Sequence, residues 1–391
     1  MIPTSRPLKG LRVLDLSQGV AGPHCGGLFA EYGADVTKIE PPQGDWMRIL
    51  GAGYDGRSGS FIYYNRGKKS LCLDLKSEGA IDVVLNLAAQ SDVVIDNNRP
   101  GVSDRLGIGF EALKARNPKI VVVAVSGFGQ EGPDSHRPLS DTIAQAMSGF
   151  MSMNCGRAGV PAKVDMTLID CLTGLYGFQA ATMALWGDPA QREAQRLDIS
   201  LVQCAAAIQG AKVLEYSVSD SIPEKINAPA GSYRAKDGWL ALTLVRESCW
   251  TKICKTFGRD DLVTDPRFAT FEQRAANTET ITEVVDRIIA TRNVSDWVES
   301  FREAGVLAGP INDYGMWLDD PQTTAVQGAP MTTVAAGIEA PMVRTPGHGN
   351  HTDLSPHLGE HSREILAEAG VSVSDIDQML STGAVICKQA A

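Results

Sequence analysis

Residues 11–40, LRVLDLSQGVAGPHCGGLFAEYGADVTKIE, decide how the rest of the chain is read. LRVLDLS is a short, mostly apolar run, the pattern of a strand buried on both faces. The glycine-rich turn QGVAGPHCGG and the helical GLFAEYGA follow, and DVTKIE is a second strand. Strand, helix and strand in so short a span form a βαβ unit with parallel strands. Further on, LCLDL, DVVIDN and IVVVAVSG are strand-like, with the helical SEGAIDVVLNLAAQ and GFEALKAR between them. The fold class is therefore α/β, with a doubly wound parallel sheet in a large domain. The glycines do not spell the dinucleotide fingerprint. Gly19, Gly22, Gly26 and Gly27 fit G-x-x-G-x-x-x-G-G rather than G-x-G-x-x-G, although Glu40 at the end of the second strand mimics a ribose-binding acid.

The alternation fades past residue 130, and 391 residues are too many for one ordinary compact domain. QRLDISLVQCAAAIQGAKVLEYS reads as a short strand leading into a long helix. VSDSIPEKINAPAGS then breaks the pattern as a connection between lobes. YRAKDGWLALTLV is a hairpin with a D-G turn, and charged helical segments follow it. The expected division is a large domain over 1–215, a smaller α+β domain over 225–325, and a C-terminal segment, 326–391, that returns to the large domain.

A net charge of −10 argues against bulk nucleic-acid binding, so an anionic ligand needs a local cluster of basic residues. The eight cysteines include no CxxC pair, so neither a zinc ribbon nor a dithiol redox motif is expected. They read as small buried hydrophobes in a reducing compartment. MIPTSRPLKG has no apolar signal region, and a cytoplasmic location follows as an expectation. His348, His351, His357 and His361 lie in a Gly/Pro-rich segment and a helix start without a matching acid cluster, so no metal site is expected.

Residues 166–186, MTLIDCLTGLYGFQAATMALW, contain a single formal charge, Asp170. Internal Gln and Thr residues and the character of the flanks favour a buried helix over a membrane span. Two readings of Asp170 stand side by side. TLID is a [ST]-x-x-[DE] capping box, in which Thr167 and Asp170 satisfy each other's backbone N–H groups. Alternatively, a carboxylate in the first turn sits at the positive helix end and stays ionised there. Gly174 and Gly177, at i+4 and i+7, share its face and leave room for a ligand or another backbone. An ionised carboxylate beside open room suits covalent carboxylate catalysis. Asp141 in RPLSD begins a helix and reads as its N-cap. His24 in GPHCGG reads as a turn-stabilising residue.

LKGLRVLDLSQGVAGPHCGGLFAEYGADVTKIEPPQGDWMR resembles the opening of the class III CoA-transferases, the CaiB/BaiF family that includes formyl-CoA transferase. The likeness continues through NRGKKSLCLDLKSEGA, NNRPGVSDRLGIGFEALKARNPKIVVVAVSGFGQEGP and SDTIAQAMSGF. It recurs in YRAKDGWLAL, DPRFATFEQRAANT, AGVLAGPIND and HLGEHSREILAEAG, in order over nearly the whole chain. The resemblance implies an enzyme that moves CoA from an acyl-CoA donor to a carboxylic acid through an aspartyl mixed anhydride and an enzyme–CoA thioester. It implies CoA as a substrate with no metal or redox cofactor, and an interlocked, ring-like homodimer in which the chain passes from the large domain to the small one and back. Position by position, the family's nucleophilic aspartate falls on Asp170. For the CoA phosphates the basic candidates are Arg48, Lys68, Lys69, Lys76, Arg99 and Arg105. Lys76, Asn97 and Arg105 match the family's CoA-contacting positions best.

Departures from the family bear on the reaction. Where the formyl-CoA transferase branch has a catalytic Gln, this chain has Val20, and NAPAGSY is a short substitute for that branch's polyglycine loop. Formyl-CoA and oxalate are therefore not the expected pair. The branch that epimerises 2-methylacyl-CoA has a His directly before the position of Asp141. Here that residue is Ser140, which leaves a racemase without its base. The alternatives to a transferase are such a racemase and a non-catalytic CoA-binding protein.

Overall fold

The computed structural model describes residues 6–156, 159–219, 227–346 and 353–387. The chain divides into two compact units, Met1–Val213 with Gly328–Ala391, and Leu214–Gln327. The first is built on a seven-stranded sheet. Its strands in chain order are β1 (Arg12–Asp15), β2 (Asp35–Glu40), β3 (Lys69–Leu73), β4 (Val93–Asp96), β5 (Val121–Ser126), β6 (Gln195–Ser200) and β10 (Val385–Ile386). Their spatial order is β10-β3-β2-β1-β4-β5-β6. Six run parallel, and β10 closes one edge antiparallel to β3.

Side chains of the central strands alternate between two buried layers, as a parallel sheet covered on both faces requires. Val13, Val93, Ile95, Val121, Val123 and Val125 pack with helices α1 (Ala21–Glu31), α6 (Leu168–Leu185) and α7 (Leu201–Ile208). Leu14, Val94 and Val122 face the opposite layer, formed by α3 (Ala80–Ala89), α4 (Phe110–Arg116), α12 (Ser362–Glu368) and α13 (Val373–Ser381). Strand order reverses between β1 and β4. A crevice at the carboxyl ends of the strands is expected at that reversal, where open α/β sheets bind ligands.

Two expectations change here. The glycine-rich stretch is not a turn before a helix, because α1 begins at Ala21 and takes in Gly22, Gly26 and Gly27. Pro23 falls in the first turn, where a missing N–H breaks no helical bond. The long helix after β6 is two helices, α7 and α8 (Gly210–Ser219), with Gln209 between them. Part of the connection expected around 218–232, residues 220–226, lies outside the described residues.

The second unit holds the expected hairpin, β7 (Gly231–Arg234) and β8 (Trp239–Thr243), extended by antiparallel β9 (Leu307–Pro310). Helices α9 (Glu247–Phe257), α10 (Thr278–Ile289) and α11 (Val294–Ala304) contribute Trp250, Ile253, Val285, Trp297 and Phe301 to its core.

Candidate active site

The start of α6 lies at the carboxyl edge of the sheet. His24 in the first turn of α1 meets it there, with Nδ1 3.0 Å from the Cys171 carbonyl oxygen. Helices α1 and α6 pack closely because Gly174 has no side chain. A Cβ there would stand 2.6 Å from the Ala21 carbonyl oxygen and 2.8 Å from His24 Cβ. At Gly177 the neighbours would be Val123 and Cys25. Both glycines thus serve helix packing rather than leaving room for a ligand.

The capping box does not form. Thr167 occupies the N-cap of α6 without a side-chain cap bond, and its Oγ1 lies 3.9 Å from Cys171 Sγ. Asp141 supplies the cap from outside the helix. It is the first residue of α5 (Asp141–Met147) and does not cap that helix. Its Oδ2 accepts the backbone N–H groups of Ile169 at 2.6 Å and Asp170 at 3.2 Å. Its Oδ1 accepts Gln145 Nε2 at 2.6 Å, and Gln145 Oε1 accepts the Val164 N–H at 2.9 Å.

This arrangement reverses the expectation for Asp170. Burial, and secondarily the charge of Asp141, push its carboxyl pKa up to about 7. Around it, burial holds His24 down to about 4, so its ring is neutral. Nδ1 carries the proton, because a carbonyl can only accept. The Tyr64 hydroxyl, from α2 (Gly59–Asn65), lies 3.1 Å from Cys171 Sγ, and burial raises both groups.

The loop joining β1 to α1 is held from beneath by buried charges. Lys68 Nζ donates to Asp15 at 2.7 Å, and Lys38 Nζ lies 3.0 Å from Asp45 Oδ2 while donating to the Ser17 carbonyl at 2.6 Å. Asp45 accepts the Gly19 N–H at 3.0 Å. From the other side of the strand-order reversal, Asn97 clamps Gln18, accepting its N–H at 3.0 Å and donating to its carbonyl at 2.7 Å.

Arg48 belongs to the same buried set, which removes it from the candidate phosphate ligands. Its Nε and Nη2 bond Glu40 at 2.7 and 2.6 Å, its Nη1 donates to the Pro356 carbonyl, and the guanidinium lies 3.9 Å over the Phe61 ring. Lys68 is likewise enclosed, and burial lowers its pKa to about 8. Lys69 is engaged by Glu364 at 2.8 Å. Lys76, Arg99 and Arg105 are exposed. With Asn97, they lie in the segments that follow β3 and β4, on the same edge as the Gln18 loop. Of the histidines grouped near the C-terminus, His357 lies 3.1 Å from Asp55, and His361 Nδ1 accepts the Ser70 N–H. His348 and His351 lie outside the described residues. No group of three or more His, Cys, Asp or Glu residues suited to a metal occurs among the described residues.

Residues 8–362 match CoA-transferase family III. A succinate–glutarate CoA-transferase of Agrobacterium fabrum is 33% identical, over 93% of this chain and 95% of that protein. An acetyl-CoA:oxalate CoA-transferase of Acetobacter aceti is 32% identical, over 91% of each chain. The crystal structure of a CaiB/BaiF family protein from Brucella suis superposes with a TM-score of 0.82 at 31% identity, covering 93% of this chain and 99% of that one. With fold, sequence and relatives in agreement, this chain belongs to CoA-transferase family III.

Proposed function

We propose that this enzyme transfers CoA from an acyl-CoA donor to a small carboxylic acid, with Asp170 as the nucleophile. The observation that carries the reading is a half-buried carboxylate in the first turn of α6, at the ligand-binding edge of the sheet, with its pKa pushed up to about 7. Such a carboxylate is more basic than an ordinary one and is still substantially ionised at neutral pH.

An Asp170 oxygen attacks the thioester carbonyl, the C–S bond breaks and CoA leaves as the thiolate, giving a mixed anhydride. The thiolate then attacks the Asp170 carbonyl carbon, and the donor acid departs as its carboxylate. The acceptor carboxylate reverses both steps and leaves as the new acyl-CoA. Orientation of bound reactants contributes up to about 7–11 kcal/mol to such steps. Lys76, Arg99 and Arg105 meet CoA phosphates, and Asn97 holds the Gln18 loop beside them. Lys76→Ala and Arg105→Ala each weaken CoA binding by about 1–3 kcal/mol, read by calorimetry.

Support for a homodimer comes from exposed apolar side chains on α5, on α6 and just after it: Ile143, Met147, Leu175, Met183 and Trp186. α6 is the one helix among the described residues long and apolar enough to cross a membrane, and a second subunit covers such a face equally well. The relatives' named acids support a carboxylic acid acceptor, and a panel of acyl-CoA donors crossed with dicarboxylic acids identifies the pair.

The deciding experiment traps the intermediate. Incubation with an active acyl-CoA donor and hydroxylamine converts Asp170 to a hydroxamate, detected by peptide mass. An unmodified Asp170 during turnover removes the mechanism. Ser140 offers no base, so a 2-methylacyl-CoA alone in deuterated buffer shows no catalytic α-exchange. Rapid exchange would favour a racemase.

A further inference from the structure

Asp141 is buried and takes part in none of the bond-making steps above, yet it reaches the catalytic helix from 29 residues upstream of Asp170. Its three acceptor contacts join α5, the segment entering α6 and the first turn of α6. Oδ2 holds the N–H groups of Ile169 and Asp170, while Oδ1 holds Gln145, whose amide binds both the N–H and the carbonyl of Val164. Thr167, at the helix's own N-cap position, carries the kind of uncharged oxygen that satisfies such amides, yet it makes no side-chain cap bond. This chain instead uses a carboxylate to cap the turn that carries another carboxylate.

We propose that Asp141 is a positioning residue for Asp170: it fixes the turn that carries the nucleophile, and its charge repels the ionised nucleophile but not the acylated one. The inference rests on Asp170 being the nucleophile. When an Asp170 oxygen forms the new C–O bond and the C–S bond breaks, the electron pair leaves with the CoA sulfur. The negative charge beside Asp141 is thereby removed, and the repulsion with it. The ionised resting state is raised in energy relative to both neutral covalent states, the mixed anhydride and the enzyme–CoA thioester. The same charge strengthens proton binding at Asp170.

The other titratable groups around this turn do not offset that repulsion. From α1, His24 is neutral and already bonded to the Cys171 carbonyl; from α2 and α6 come Tyr64 and Cys171, both raised by burial. Cys204 on α7 is raised as well, and the exposed Lys163 before the helix, which also senses the charge of Asp141, is paired with Asp165 at 2.7 Å.

The test reads protonation without reading turnover. A water-soluble diazo amide esterifies the protonated carboxyl, so the yield of labelled Asp170 against pH, measured by peptide mass, gives its titration in the intact protein. Wild-type labelling falls with a midpoint near neutral pH. In Asp141→Asn the midpoint moves down by on the order of one pH unit, and amide exchange in the peptide containing residues 169 and 170 accelerates. If Asp141→Asn does not fold, Asp141→Ser, which keeps a capping oxygen without charge, takes its place. A wild-type midpoint in the ordinary carboxylate range, or one unmoved by the neutral substitution, overturns the proposal. Failure to trap an acyl adduct on an Asp170 that titrates as expected instead overturns the transferase mechanism alone.

Discussion

Two sets of buried charge lie at the same edge of one sheet, and they are built on opposite rules. Beneath the Gln18 loop, the carboxylates of Asp15, Glu40 and Asp45 are matched by the cations of Lys68, Arg48 and Lys38. Each ion has a partner within 3.0 Å and further hydrogen bonds, the condition under which buried charge is tolerated. At the start of α6, the Asp170 carboxyl is pushed up to about 7, by burial first and by the charge of Asp141 second, with no bonded cation among the described residues. Charge that is balanced holds a loop in place. Charge left unbalanced is reactive, because its protonation or acylation relieves the repulsion.

The largest expected effect breaks the unbalanced set. Asp170→Asn lowers transferase turnover by roughly three orders of magnitude or more, measured with saturating donor and acceptor. Its thermal stability does not fall, since the substitution removes a repelled, desolvated charge. Normal turnover in that variant would end the nucleophile reading. Breaking the balanced set has the reverse signature. Lys38→Met leaves Asp45 without its cation and lowers unfolding free energy by about 3–5 kcal/mol in urea. Lys38→Met/Asp45→Asn recovers part of that loss, and an unchanged urea midpoint for the single variant would show the cluster to be dispensable.

A smaller effect sharpens the contrast through pH. The folded pKa of Asp170, about 7, lies above the unfolded value near 4. The folded state therefore binds this proton more tightly. Its stabilising contribution is complete below the unfolded value and is lost as pH rises through about 7. Asp170→Asn should gain stability relative to wild type between pH 5 and pH 8 by scanning calorimetry, whereas a difference independent of pH would contradict the raised value. Under the proposed mechanism activity runs the other way, because only the ionised carboxylate attacks. On log–log axes kcat/KM should fall with unit slope below about pH 7.

The local pattern of residues 11–40 is sufficient for the strands, since LRVLDLS, which contains Arg12–Asp15, is a short, mostly apolar run, and Asp35–Glu40 follows the intervening helix after a short turn. The proposed nucleophile, Asp170, is legible only through family resemblance, because TLID on its own equally describes a capping box. What local reading misses is set by distance along the chain. Asp141 caps a helix that begins 27 residues later, and no short motif encodes that contact. Arg48 looks like any basic residue after a loop until Glu40, eight residues back, and Phe61 enclose it. Gly26 is needed because a Cβ there would stand 2.7 Å from Asp15 Oδ2 and 3.0 Å from Lys68 Nζ, both brought in by the sheet. Turn propensity cannot register such a need.

The edge strand Val385–Ile386 has a consequence for how the protein is made. It pairs with Cys72 and Leu73, and the helices just before it, α12 and α13, cover the same side of the sheet. Synthesis proceeds from the N-terminus, so β3 leaves the ribosome with an open edge, and the whole of Leu214–Gln327 is translated before the segment that closes it. During that interval the nascent sheet presents unpaired backbone groups and uncovered apolar side chains, the features that recruit chaperones or neighbouring chains. A stop codon before Val385 would therefore leave Asp170 and Asp141 in place but the β3 edge unpaired, and its first effect would be on the yield of soluble protein.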